Sequence, residues 1–164
     1  MQQSFTTGRV PSDWLVGKII PVHKTGNKSL SENFRPISLT SLPCKFMEHI
    51  IVKNITKFLE DNNFFYCYQH GFRKGYSCET QLAGLTHDIL VNLDTGGQTD
   101  AIFLDFSKAF DRVPHRRLFS KLSNLNIDPH ALVWIQALLT NRKQYVTVNN
   151  TSSSFASVSS GIPQ

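Results

Sequence analysis

The chain has 164 residues, 40% hydrophobic and 18% charged, and 17 Lys+Arg against 12 Asp+Glu leave a net charge of +5 with histidine neutral. That length suits one domain or a piece of a larger protein, and the apolar content excludes a chain too polar to fold. Three irregularly spaced cysteines, Cys44, Cys67 and Cys78, exclude a disulfide framework and point to a reducing compartment. No apolar run approaches the roughly 20 residues of a membrane span. The start, Met1 to Thr7, lacks the basic-then-apolar order of a secretion signal. The expectation is an intracellular protein of cytoplasm or nucleus, without a membrane partner; the cationic excess favours an anionic one.

In chain order, Gly17-Lys18-Ile19-Ile20-Pro21-Val22 reads as a strand, followed by a basic hairpin or loop over residues 24–36. A helix follows from Ser41 and Pro43 to Asp61, with Leu42, Phe46, Ile50, Ile51, Ile55, Phe58 and Leu59 at helical spacing. A second helix covers about residues 78–94, capped by Ser77, with Leu82, Leu85, Ile89, Leu90 and Leu93 on its inner face. Thr95-Gly96-Gly97 breaks the chain. Ala101 to Phe106 is an apolar run with an acid near its end, expected as a buried strand. Two more helices start at Pro114 and at Asp128-Pro129. Residues 144–148 alternate and read as a strand, paired through Asn149-Asn150 with a weaker one near 155–158. Gly161-Ile162-Pro163-Gln164 is not a natural domain end, so truncation is expected.

Three constellations could carry chemistry. Asp105, at the end of its run, is either a Mg²⁺ ligand or a strand-end aspartate that caps the next turn or pairs with Lys108. Lys24 and Arg35 flank a turn that would bring two cations together. They are either a grip for a polyphosphate or ordinary surface charge. Gln69 to Ser77 interleaves glycines, cations and aromatics before a helix start. It suits a nucleic-acid backbone, or it is a loop whose rings dock into the core. A zinc set of Cys67, His70, Cys78 and His87 matches no usual spacing, and no Gly-x-Ser-x-Gly occurs.

Five segments come in order: Ile20-Pro21-Val22-His23-Lys24, Asn33-Phe34-Arg35-Pro36-Ile37-Ser38-Leu39, Gln69-His70-Gly71-Phe72-Arg73, Phe103-Leu104-Asp105-Phe106-Ser107-Lys108-Ala109-Phe110-Asp111 and Ser160-Gly161-Ile162-Pro163-Gln164. Together, from about Trp14 to Gln164, they resemble the reverse transcriptase of non-LTR retrotransposons, closest to the jockey-like type. The resemblance implies an α+β fold of fingers and partial palm, with helices on a small, mainly antiparallel sheet and the thumb absent. Residues 1–13 would be an N-terminal extension, 14–95 fingers-like and 96–164 partial palm.

The resemblance also implies roles. Asp105 would be the catalytic aspartate and a ligand of two Mg²⁺ ions, with the Phe106 carbonyl on one of them. Phe110 would be the aromatic gate against a 2′-hydroxyl. Lys24 and Arg35 would hold the incoming triphosphate, Gln164 would sit beside nucleotide and template, and Arg73 and Lys74 would lie near the nucleic acid. The implied partners are an RNA template, a DNA primer and deoxynucleoside triphosphates. The family's second aspartate pair is not in the sequence, so the chain alone is expected to be inactive, with exposed apolar surface. The rival expectation is a non-catalytic nucleic-acid-binding remnant of a retrotransposon.

Overall fold

The structure is a computed structural model that describes residues 1–163. Gln164 therefore lies outside the described residues. The chain divides into two compact units: Lys53–Phe106 forms the second, and the rest of the described chain forms the first.

The first unit is organised around strand β1 (Val16–His23), whose alternating burial matches a half-covered sheet face. Strand β2 (Phe34–Leu39) pairs with it antiparallel, from Lys18 opposite Leu39 to His23 opposite Phe34. Strand β3 (Lys143–Val148) lies on its other side and runs parallel, Val16 to Ile19 matching Lys143 to Val146. A parallel neighbour needs a long crossover, and most of the helical chain intervenes. Pro21 and Pro36 face each other beyond the last β1–β3 pair, where β1 has a free edge and the missing N–H costs no ladder bond on that side. Short strands β4 (Thr151–Ser152) and β5 (Ala156–Ser157) finish a five-stranded sheet among the described residues, both antiparallel to β3. Asn149 and Asn150, at φ 47° and 62°, make the turn between β3 and β4. Two consecutive left-handed residues are what a two-residue hairpin turn requires.

Helix α1 (Gln2–Thr7) and a 3₁₀ turn at Ser12–Leu15 precede the sheet. Helix α2 (Leu42–Asp61) follows β2, and the boundary between the units falls within it. After the second unit come α4 (His115–Ser123) and α5 (Pro129–Leu139). The start of α5 follows from local chemistry: the Asp128 carboxylate accepts the His130 N–H (2.7 Å), and Pro129 takes the position where no N–H is needed. The core gathers Trp14, Ile127, Ala131, Trp134, Leu138 and Leu139 with Cys44, Met47 and Ile51 of α2.

Helix α2 begins and ends where its spacing predicts, but it buries a neighbouring face. Cys44, Met47 and Ile51 are inside, whereas Leu42, Phe46 and Ile50 are exposed. Both sets have helical spacing, so the sequence offers two adjacent apolar stripes and only the packing partners select one.

The second unit holds the last part of α2, a loop, and helix α3 (Cys78–Asp94). Ser77 caps α3 as expected, in a reciprocal box: the Thr80 N–H donates to Ser77 Oγ (3.2 Å) and the Ser77 N–H to Thr80 Oγ1 (2.9 Å). Two expectations fail here. The α3 face of Leu82, Leu85, Leu90 and Leu93 is exposed rather than inward, and no residue of this helix is buried. Ala101 to Phe106 is not a buried strand; it carries no ladder, and Ile102, Phe103, Leu104 and Phe106 are each more than 80% exposed. The reason is common to both. This unit contains no other strand among its described residues, so an extended segment has no hydrogen-bonding neighbour, and no layer covers the leucines.

Candidate active site

The pairing of β1 and β2 continues to Lys24, whose N–H donates to the Asn33 carbonyl (2.8 Å). Lys24 therefore lies diagonally across the ladder from Arg35, and both are exposed. The loop between them is closed by its own polar groups. Asn27 Oδ1 accepts the Ser29 N–H (2.9 Å), and its carbonyl accepts from Asn33 Nδ2 (2.8 Å) and the Leu30 N–H (3.2 Å). His23 Nε2–H donates to the Gly26 carbonyl (3.0 Å), and its ring meets Phe34 edge-on at 5.4 Å. Gly26 sits at φ +79°, where a Cβ would strike Asn33 Nδ2 at 2.8 Å. Arg35 precedes Pro36, which restricts it to extended backbone. The two cations are thus carried on a stiff hairpin.

Phe110 belongs to the same unit and is half-buried. Its carbonyl accepts the Ile162 N–H (3.1 Å), the Val113 carbonyl accepts the Gly161 N–H (2.9 Å), and Ser160 Oγ donates to the Asp111 carbonyl (3.4 Å). His115 Nε2–H donates to the Gly161 carbonyl (2.7 Å); a carbonyl only accepts, so Nε2 carries the proton. These bonds fasten the turn after Phe110 to the turn that leads into Gln164. His115 is the residue that sequence reasoning missed. It reads as a helix-end histidine, and its partner is 46 residues away.

Gly161 is required where those turns meet. It lies at φ +82°, and a Cβ there would come within 2.7 Å of the Asp111 carbonyl oxygen and 3.0 Å of the Asp111 Cα. Both obstacles are backbone, so neither can swing away. Gly161→Ala is therefore expected to destabilise the chain by about 2 kcal/mol or more, combining left-handed strain with the clash. A fall in the urea midpoint measures it; an unchanged midpoint contradicts the close approach.

Asp105 and Phe106 lie in the second unit, both exposed. Asp105 has no hydrogen bond or ion pair among the described residues, so it neither caps a turn nor pairs with Lys108. Its carboxylate, with the Phe106 carbonyl, offers hard oxygen donors of the kind divalent Mg²⁺ takes. Among the described residues no group of three or more His, Cys, Asp or Glu gathers to hold a metal. The donors fit such an ion in kind and supply one carboxylate toward it.

Arg73 is the most engaged side chain of the second unit. Its Nε and Nη2 donate to the two oxygens of Glu60 (2.9 and 2.8 Å), and Nη1 donates to the Gln69 carbonyl (3.2 Å) and, more weakly, to that of Tyr66 (3.4 Å). The guanidinium lies over the rings of Tyr76 (4.4 Å) and Phe65 (5.3 Å), and its side chain is only 11% exposed. The expectation placed Arg73 against nucleic acid. The structure turns it inward as the pin of the loop, while its neighbour Lys74 is exposed. Nothing in the local sequence marks Glu60 as its partner, because the two are 13 residues apart.

The Arg73 hydrogen bonds hold the Glu60 carboxyl below the usual glutamate range. A carboxylate so depressed adds stability that is fully present above its unfolded value, about pH 4.3, and is lost as pH falls through the lower folded value. Limited proteolysis of residues 62–77 is therefore expected to accelerate below about pH 4.3. In Glu60→Gln the cleavage is already fast at neutral pH and changes little with acid. Identical profiles for the two proteins contradict the pin.

Comparison with known proteins matches residues 22–164 to the family model described as reverse transcriptase (RNA-dependent DNA polymerase). Among curated proteins, the chain is 34% identical over 155 residues to the probable RNA-directed DNA polymerase from transposon BS of Drosophila melanogaster, covering 94% of this chain. It is 29% identical over 158 residues to the RNA-directed DNA polymerase from mobile element jockey of the same species, covering 96%. The corresponding X-element protein is 30% identical over 155 residues. The chain spans 17% of the length of each of these three relatives.

Proposed function

We propose, on the premise that this chain belongs to the reverse transcriptase family, that it supplies the fingers (residues 14–95) and part of the palm (residues 96–164) of an RNA-directed DNA polymerase. Members of the family act on nucleic acid and nucleotides with divalent metal ions; here we assign Mg²⁺, an RNA template, a DNA primer and deoxynucleoside triphosphates. Among the described residues no helix is long and apolar enough to cross a membrane.

The observation that carries this reading is the fastening of the Phe110 turn to the Ser160–Pro163 turn in the unit that also bears Lys24 and Arg35. It draws together two of the three stretches assigned to the nucleotide, though they are far apart in sequence. Arg35 grips phosphate oxygens through its fork and Lys24 acts as a point charge. The Phe110 ring excludes the 2′-hydroxyl of a ribonucleotide. Gln164, outside the described residues, follows the fastened turn and takes its place beside nucleotide and template. Asp105 and the Phe106 carbonyl would hold Mg²⁺, which when bound stabilises the attacking and leaving oxygens of phosphoryl transfer. Lys74 meets nucleic-acid phosphate, and Arg73 serves it by shaping the loop.

The test is nucleotide choice in a longer polymerase chain that carries this segment. Phe110→Ala is expected to raise ribonucleotide incorporation relative to deoxynucleotide by about ten- to a hundredfold. Unchanged discrimination would overturn the gate. The second reading is a non-catalytic nucleic-acid-binding remnant of a retrotransposon. It predicts salt-dependent binding of RNA without primer extension at any divalent ion concentration, in the longer chain as in this one.

A further inference from the structure

The run from Ala101 to Phe106 lies wholly in the second unit, and every residue of it is exposed. Its backbone makes no hydrogen bond among the described residues, so a row of N–H and C=O groups is left to water. It contains no glycine or proline, no residue at positive φ, and a single charge, Asp105. Its approach is held in place: Asn92 Nδ2 donates to the Gln98 carbonyl (3.0 Å) and to Thr99 Oγ1 (2.7 Å), which fastens the chain before the run to the last turn of α3.

A short apolar segment with an unpaired backbone and one charge is a template for another strand. That one acid decides how an identical strand can lie beside it. Parallel and in register, the two Asp105 carboxylates would stand side by side on one face, and like charges directly opposite each other are destabilising. Antiparallel about a two-fold axis at Leu104, Asp105 of each copy meets Phe103 of the other, and Ile102 meets Phe106. Alternation then gathers Ile102, Leu104 and Phe106 of both copies on one shared apolar face and leaves the two acids, no longer opposed, on the other.

We propose that Ala101 to Phe106 is a self-association edge, at which two copies of this chain pair antiparallel about Leu104. Each strand satisfies backbone groups that the other leaves to water, and the large apolar side chains leave water together. A two-stranded ribbon is only marginally stable by itself, so the affinity is modest. Pairing needs neither metal nor nucleotide, so it stands or falls independently of the role assigned to Asp105.

The experiment is sedimentation velocity of the whole 164-residue chain from about 1 to 100 µM, with amide hydrogen exchange read at both ends of that range. A monomer-to-dimer shift is expected, with amides within residues 101–106 slowed about tenfold or more at the high concentration. Consecutive N–H groups of a strand point to opposite edges, so the double variant Phe103→Pro with Leu104→Pro removes a ladder donor whichever edge pairs. It is expected to weaken association about tenfold or more. Both residues are exposed, so the melting temperature of the dilute monomer stays where it is. Asp105→Asn is expected to change the dimer constant by less than about twofold; a severalfold tightening would mean opposed acids and overturns the antiparallel arrangement. A chain that stays monomeric overturns the proposal, whether residues 101–106 are then protected, and so covered by their own chain, or unprotected and simply solvated. A dimer that survives the two prolines overturns it too and puts the interface elsewhere.

Discussion

Asp105→Asn, made in a longer polymerase chain that carries this segment, lowers primer extension by at least about a thousandfold, because a metal-stabilised transition state loses several kcal/mol when its carboxylate ligand becomes a neutral amide. The same substitution leaves folding untouched. Asp105 is exposed and makes no hydrogen bond or ion pair among the described residues, so the change is a surface substitution worth within about 0.5 kcal/mol. The two measurements together are diagnostic. Lost activity with an unchanged melting temperature supports a ligand role. Retained extension, or a melting temperature that falls with activity, excludes it. A residual effect on nucleic-acid retention is not expected, since the assigned phosphate contacts lie on Lys24, Arg35 and Lys74.

Trp134→Ala carries the largest expected cost to stability. The indole is 1% exposed, the largest fully buried side chain, and it lies among Ala131, Leu138 and Trp14 in the core of the first unit. Its Nε1–H donates to Ser4 Oγ (3.1 Å), which ties α1 to α5 across nearly the whole sequence. Removing it opens a large cavity and takes away the donor to Ser4 Oγ, which keeps its own bond to the Arg9 carbonyl (2.6 Å), for about 3–5 kcal/mol in all. Trp134→Phe keeps most of the packing and loses the hydrogen bond, and is expected to cost about 1–2 kcal/mol. Urea unfolding followed by far-ultraviolet circular dichroism measures both. If the two variants lose equal stability, the packing account of this core is wrong.

Helices α2 to α5 are legible because their ends are local chemistry, whereas α1 has no side-chain cap and is not read from the sequence. Ser77 with Thr80, Asp128 with Pro129, and Pro114 before α4 each act within four residues, and a cap needs no knowledge of the rest of the fold. Strand β1 and the alternating β3 were readable for a similar reason, since each keeps its own period. Strand β2 reads in the sequence only as part of a basic hairpin or loop, because Arg35 and Pro36 obscure its alternation. Its place was settled by pairing with β1. Likewise, the five ordered segments carry the family resemblance without any knowledge of contacts.

Long-range choices were not legible. No local rule pairs Arg73 with Glu60, sets His115 on the Gly161 carbonyl, or runs β3 parallel to β1. The sequence names apolar stripes on α2 and α3, but which stripe is buried depends on what lies against it, and among the described residues no side chain of α3 is buried and the run that holds Asp105 is exposed. The ends of the capped helices, the periods of β1 and β3, and the family were therefore determined by the sequence itself, through capping, periodicity and motif order. Tertiary structure alone decided burial and the inward turn of Arg73, because hydrophobic and ionic groups are stabilised by neighbours that arrive from distant parts of the chain.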